Sequence, residues 1–301
     1  MLIQKEDNSV LIITGMHRSG TSFSASLLQN AGLDIGRRLI EPGNGNIKGF
    51  FENVDFVKFH ENVLRSQNIN DVGWTTEDNI SVESTYVKTA REIIAKNSES
   101  TIWGWKDPRT TLFLDFWTEQ LPEARFLLIY RSPWEVVDSL YRRGDEIFIE
   151  QPTLAIKIWM HYNQKILRFF SKFPERCLLV SVYSIANQTE QFIAQINTKF
   201  NLNLTTPACD IYDRSLFYTQ SSDVHRPTLI AYHFPQAINL YQELNRREIL
   251  LGEDPDLSWL EQIKAKLTQD YAFQDWVELR HMEKKVKSLR SELKKRLRVV
   301  Q

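Results

Sequence analysis

Cysteine is scarce in this chain: two residues in 301, Cys177 and Cys209. Two isolated cysteines without metal-type spacing argue against a disulfide framework or a zinc site and fit a reducing compartment. Long apolar runs are missing as well. None approaches the ~18 residues of a membrane span, and the N-terminus "MLIQKEDNSVLIITG" carries charges where a signal peptide needs an apolar stretch. The expectation is a cytoplasmic protein. There is also no excess of charge of one sign, the formal net charge being -1. That balance hides an asymmetry. Between Trp276 and Gln301 stand nine Lys/Arg against three Asp/Glu, so the tail is near +6 and the remainder near -7. This argues against a globally basic nucleic-acid binder.

What the chain does have is ordinary globular material, 42% hydrophobic and 25% charged. Four apolar, β-rich runs read as strands: Val10–Thr14, Thr101–Trp105, Arg125–Tyr130 and Leu178–Tyr183. Their runs are continuous rather than alternating, which suits parallel strands covered on both faces. Helical patterns lie between and after them: 22–31, 55–66, 85–96, 110–120, 134–143, 153–173 and 189–200. The alternation predicts a three-layer α/β domain of P-loop-like build with a central parallel sheet. Residues 1–204 form its core. Residues 205–270 begin as a polar loop and resume helix near Thr228. Residues 271–301 form a basic C-terminal helix. Its apolar positions Met282, Val286, Leu289, Leu293, Leu297 and Val300 make a near-heptad stripe. Such a stripe suits self-association or packing on the body, and its charge also suits an anionic membrane surface.

The segment "LIITGMHRSGTSFSASLLQ" begins like a phosphate-binding loop. An apolar strand runs into Gly15, and Gly20 follows just before a helix. Such a turn aims backbone N–H groups and a positive helix end at an anion. Ser19, Thr21 and Ser22 add hydroxyls, and Arg18 offers a fork for two anionic oxygens. The lysine that a nucleotide triphosphatase carries after the second glycine is Thr21 here, which disfavours ATP or GTP hydrolysis. Two further segments place cations at strand ends. In "WGWKDPRT", Lys106 follows a strand, while Asp107 and Pro108 are explained as a helix cap and first turn. In "FLLIYRSPWEVVDSLYRR", Arg131 closes a strand and Ser139 lies two turns into the next helix, where the pair can reach a second anion. Arg142 and Arg143 read as a solvated helix end.

Two anion sites on neighbouring strands suggest a nucleotide phosphorylated at two separate places. "GMHRSGTS" resembles the 5′-phosphosulfate loop of the sulfotransferase family, and "RSPWEVVDSLYRR" resembles that family's 3′-phosphate segment. "KDPRT" followed by "ARFLLIYR" is similar to the tyrosylprotein and bacterial branches. The resemblance spans residues 9–200. It implies 3′-phosphoadenosine 5′-phosphosulfate as donor, 3′,5′-adenosine bisphosphate as product, and no metal. It places Arg18, Gly20, Thr21 and Ser22 at the 5′ end; Gly15 and Ser19 belong to the same binding loop, and His17 reads as a wall residue of it. It puts Arg131 and Ser139 on the 3′-phosphate and Tyr183 near the nucleotide, and it gives Lys106, with Arg18, a part in sulfuryl transfer. A general base must take the acceptor's proton. Glu52 in "GFFEN" is the candidate, expected against apolar surface of the neighbouring phenylalanines; Glu41 in "LIEPGNGN" is the alternative. The acceptor is a hydroxyl or an amine. Trp74, Trp103, Trp105 and Trp159 offer rings that stack on sugars as well as on aryl substrates; a glycan is the leading expectation, with most of these rings expected in the core. The rival readings are a non-catalytic nucleotide-binding or scaffold protein and a nucleotide kinase with a degenerate loop.

Overall fold

The computed structural model describes residues 8–43, 49–207, 225–248, 277 and 279–290. Strand β1 (Ser9–Gly15) is followed by helices α1 (Thr21–Asn30), α2 (Val54–Ser66) and α3 (Ser84–Asn97). Strand β2 (Ile102–Lys106) leads through a 3-10 turn (Pro108–Phe113) into α4 (Leu114–Gln120). Strand β3 (Arg125–Tyr130) precedes α5 (Pro133–Arg143), α6 (Glu146–Glu150) and α7 (Pro152–Lys172). Strand β4 (Cys177–Ser181) is followed by α8 (Val182–Asn187), α9 (Thr189–Phe200), α10 (His225–His233) and α11 (Pro235–Arg247).

The four strands form one parallel sheet in the order β2-β1-β3-β4. Successive side chains leave a strand on opposite faces, and the core divides accordingly. Val10, Ile12, Phe126 and Leu128 face the layer built by α2, α3, α4, α5, α7, α10 and α11. Leu11, Ile13, Leu127 and Ile129 face α1, α8 and α9. Both faces are covered, which is why every strand reads as a continuous apolar run. Helices α10 and α11 close the first layer through Ile230, Ile238, Tyr241 and Leu244. Among the described residues no helix is long and apolar enough to cross a membrane.

The topology fixes where a ligand can enter. The chain leaves β1 towards β2 on one side and leaves β3 towards β4 on the other. A crevice therefore opens at the carboxyl ends of β1 and β3, the switch point of an open α/β sheet. The two strands also approach closely there: a Cβ on Gly15 would lie 2.1 Å from the Ile129 carbonyl oxygen. Only glycine fits.

Two local expectations change. The helix expected from Thr110 opens as the 3-10 turn at Pro108, with Asp107 as its cap accepting from the Arg109 N–H. The strand expected to end at Tyr183 stops at Ser181, whose hydroxyl caps α8; Tyr183 lies in that helix's first turn. Helix α2 is capped by the Asn53 side chain, so Glu52 is released from a capping role. Cys177 is a free, buried thiol, and burial pushes its pKa up to about 12. Cys209 lies outside the described residues.

Candidate active site

The loop from Gly15 to α1 crosses the switch point. Arg18 (φ 67°) and Gly20 (φ 90°) both adopt left-handed backbone. Such positions recur in backbone nests that bind anions. Gly20 is the N-cap residue of α1 and contributes no side chain, so Thr21 and Ser22 open the helix at its positive end. Ser19 is fully buried, and its hydroxyl has no hydrogen-bond partner. The Nε2 atom of His17 is likewise buried and unpartnered. His17 packs against Trp74 at 4.6 Å between ring centroids. Burial, with the Arg109 charge next, pushes its imidazole well below the ordinary value and keeps it neutral near pH 7.

Arg18 does not point freely into solvent. Its Nε donates to Ser139 Oγ at 2.9 Å, so it leans from the loop onto α5. Arg131, buried at the end of β3, donates to the Arg18 carbonyl oxygen at 3.4 Å and to the Tyr183 hydroxyl at 3.4 Å. Arg131 also lies 3.6 Å from Glu135, one turn along. Loop, β3, α5 and α8 thus converge through four of the expected residues: Arg18, Arg131, Ser139 and Tyr183. Burial first, then the charges of Arg143, Arg131 and Arg142, bring the Arg18 guanidinium down to about 10. Crowded cations of this kind are stabilised by an anion.

Lys106 ends β2, one strand over, and pairs in register with Ile13. It is only 1% exposed. Its ammonium donates to Glu52 Oε1 at 2.7 Å, to the Phe50 carbonyl at 3.0 Å and to Ser22 Oγ at 3.1 Å. An ammonium has three donors, and all three are engaged. Glu52 is 6% exposed, and its second oxygen lies 3.7 Å from Arg109. It sits between two cations, not against apolar surface as its phenylalanine neighbours suggested. Phe51 before it adopts φ 55°, a strained conformation for an aromatic residue. Glu41 is exposed.

Arg109 had no expected role, yet it organises this side. It donates to Asp107 Oδ1 at 2.9 Å and to the Asp71 carbonyl at 2.9 Å, and it lies 3.5 Å from Glu61. Burial alone would raise the Asp107 carboxyl, but Arg109 and a 2.8 Å hydrogen bond with His60 hold it well below the usual carboxylate range. Trp117 donates its indole N–H to His60 Nε2 at 2.8 Å. An indole can only donate, so Nδ1 carries the proton given to Asp107.

Two further expectations change. Arg142 pairs with Asp138 as a helix-end residue would, but Arg143 lies over the Trp74 ring at 5.1 Å and is the charge that acts most on Arg18. Trp74, Trp103, Trp105 and Trp159 are all buried. None offers an open face to a sugar, which removes the ground for preferring a glycan.

Fold and site together define a three-layer α/β domain of P-loop-like build, with a lysine-free glycine loop at its switch point. No family model matches the chain, and no curated protein matches it. Solved structures do. A sulfotransferase domain from the Synechococcus PCC 7002 olefin synthase aligns at 17% identity over 88% of this chain and 98% of its own, with a TM-score of 0.39. Sulfotransferase STF9 from Mycobacterium avium aligns at 13% identity over 81% of this chain and 78% of its own, with a TM-score of 0.47. A sulfotransferase domain from the curacin biosynthetic pathway aligns at 14% identity over 89% and 99%, with a TM-score of 0.41.

Proposed function

We propose that the protein is a sulfotransferase using 3′-phosphoadenosine 5′-phosphosulfate. The observation that carries this reading is the crowding of Arg18 and Arg131 at the switch point, beside a buried Ser19 hydroxyl without a partner. Polar atoms left unpaired in a buried site call for a ligand that satisfies them. The donor set is cations and hydroxyls, which is the chemistry of phosphate and sulfate recognition. The residues present fit the donor.

In this reading Gly15, Ser19, Gly20, Thr21, Ser22 and the wall residue His17 hold the 5′ end, with Arg18 above them. Arg131 and Ser139 hold the 3′-phosphate, and Tyr183 borders the nucleotide. The chemistry the donor supplies is a sulfuryl group on a phosphate leaving group, for transfer to an acceptor hydroxyl or amine. Arg18 and Lys106 stabilise the charge that grows on oxygen as in phosphoryl transfer, Lys106 through its charge and through the Ser22 hydroxyl it holds, since its three donors are engaged. Glu52 takes the acceptor's proton at Oε2, since Oε1 is engaged by Lys106. Arg109 holds that carboxylate in place.

The test is thermal. Adenosine 3′,5′-bisphosphate is expected to raise the melting temperature by mass action, equally with and without EDTA. A larger shift with ATP and Mg²⁺ overturns the proposal in favour of a nucleotide kinase.

A further inference from the structure

Residues 279–290 are helical and every one of them is exposed, so this helix does not pack on the body. Leu279, Met282, Val286 and Leu289 are 51, 58, 47 and 55% exposed. Their spacing of 3, 4 and 3 residues puts them on one side of the helix, the a and d positions of a heptad. Helices in water draw most of their stability from packing an apolar face. A fully solvated one with four large apolar side chains in a row calls for a partner.

The flanking charges say which partner. With Leu279 and Val286 at a, and Met282 and Leu289 at d, Lys285 falls at g and Glu283 and Arg290 at e. Two copies side by side in parallel would set Lys285 of one against Arg290 of the other, since parallel pairs bring g against e. Two copies in antiparallel array bring e against e. Glu283 then meets Arg290, twice over by symmetry. Within one helix Glu283 already pairs with Arg280 at 2.7 Å, which leaves it on the surface beside the stripe.

We infer that the chain self-associates through this helix, and that a second copy of the chain lies antiparallel on the Leu279–Met282–Val286–Leu289 stripe. A C₂ pair of this kind is self-complementary. The inference is independent of the chemistry proposed for the sheet edge.

The test uses the full chain and sedimentation equilibrium. Wild type is expected to be dimeric at micromolar concentration, and Arg290→Glu to weaken the dimer roughly tenfold, because two attractive pairs become repulsive. Glu283→Lys combined with Arg290→Glu is expected to restore it. A tighter dimer for Arg290→Glu overturns the antiparallel arrangement, because in the parallel one that change creates an attraction to Lys285. A monomeric wild type overturns self-association altogether. So does a monomer that binds vesicles of phosphatidylcholine with phosphatidylserine and loses that binding in Val286→Asp, which would assign the stripe to a membrane surface. Residues 279–290 are exposed, so an unchanged melting temperature of the body is expected for each variant.

Discussion

The Lys106 ammonium lies 2.7 Å from Glu52 Oε1, and both side chains are buried. The candidate charge stabiliser and the candidate base are one hydrogen-bonded pair from strand β2 and the turn before α2. Each therefore fixes the position of the other, and replacing one disturbs both.

Glu52→Gln keeps a side chain of the same shape that can still accept from Lys106. It is expected to leave bisphosphate affinity unchanged and to lower kcat by ~10²-fold or more, a common loss for a positioned base. Single-turnover measurement with saturating acceptor checks this. Turnover near wild type would remove Glu52 from the mechanism.

Arg131→Ala is expected to weaken adenosine 3′,5′-bisphosphate more than adenosine 5′-monophosphate, because Arg131, beside Tyr183 at the end of β3, is the residue assigned to the 3′-phosphate. Ser139→Ala is expected to weaken both, since Ser139 also holds the Arg18 side chain. Isothermal titration with the two nucleotides separates the cases. Equal losses in Arg131→Ala would misplace the 3′ site.

Bisphosphate binding should depend on pH at the alkaline end. Arg18 is brought down to about 10 by burial and neighbouring arginines, so its charge is present below that value and lost as pH rises through it. His17 is held neutral well below its ordinary value and adds no inflection between pH 6 and 8. Affinity measured from pH 7.5 to pH 10.5, above the second ionisation of the nucleotide's phosphates at about pH 6, should stay level and then fall. An affinity that stays level to pH 10.5 would contradict the lowered Arg18.

Asp107 links the site to stability. Its carboxyl is held below the usual range, so its contribution is full above the ordinary carboxylate value and is lost as pH falls through the lowered one. Asp107→Ala leaves the His60 Nδ1–H without its acceptor and removes the carboxylate nearest Arg109, and is expected to cost about 3–5 kcal/mol, the range for breaking a buried ion pair. Urea unfolding at pH 7 and at pH 4 and below measures both effects. The wild type should lose stability in the acid window, and the variant should lose less there. A variant within 1 kcal/mol of wild type at pH 7, or an equal acid loss, would contradict this.

Much of this was legible in the sequence because it is local. The strand "RFLLIY" and the helix from Thr189 to Phe200 lie where their patterns put them. Gly15, Gly20 and Arg18 were readable because a strand, a turn and a helix must follow one another within a dozen residues. Arg109 was invisible for the opposite reason. Its partners Glu52, Glu61 and Asp71 stand 38 to 57 positions away, and no local pattern announces them. Arg143 was misread because a cation in a last helical turn usually faces water, and only the tertiary fold brings Trp74 beneath it. The turn at Ser181 did leave a signal, since a serine inside an apolar run is a ready N-cap.

The crowding around Arg18 has a practical side. A guanidinium crowded by three like charges attracts anions of any shape, so phosphate or sulfate in a buffer is expected to compete there with the nucleotide. Titrations run in phosphate report a competition, and their midpoints move with buffer strength. Runs in a buffer of bulky, weakly binding anions report the nucleotide itself. The gap between the two midpoints measures how much of the loop's affinity is spent on charge alone and how much is kept for the shape of the ligand.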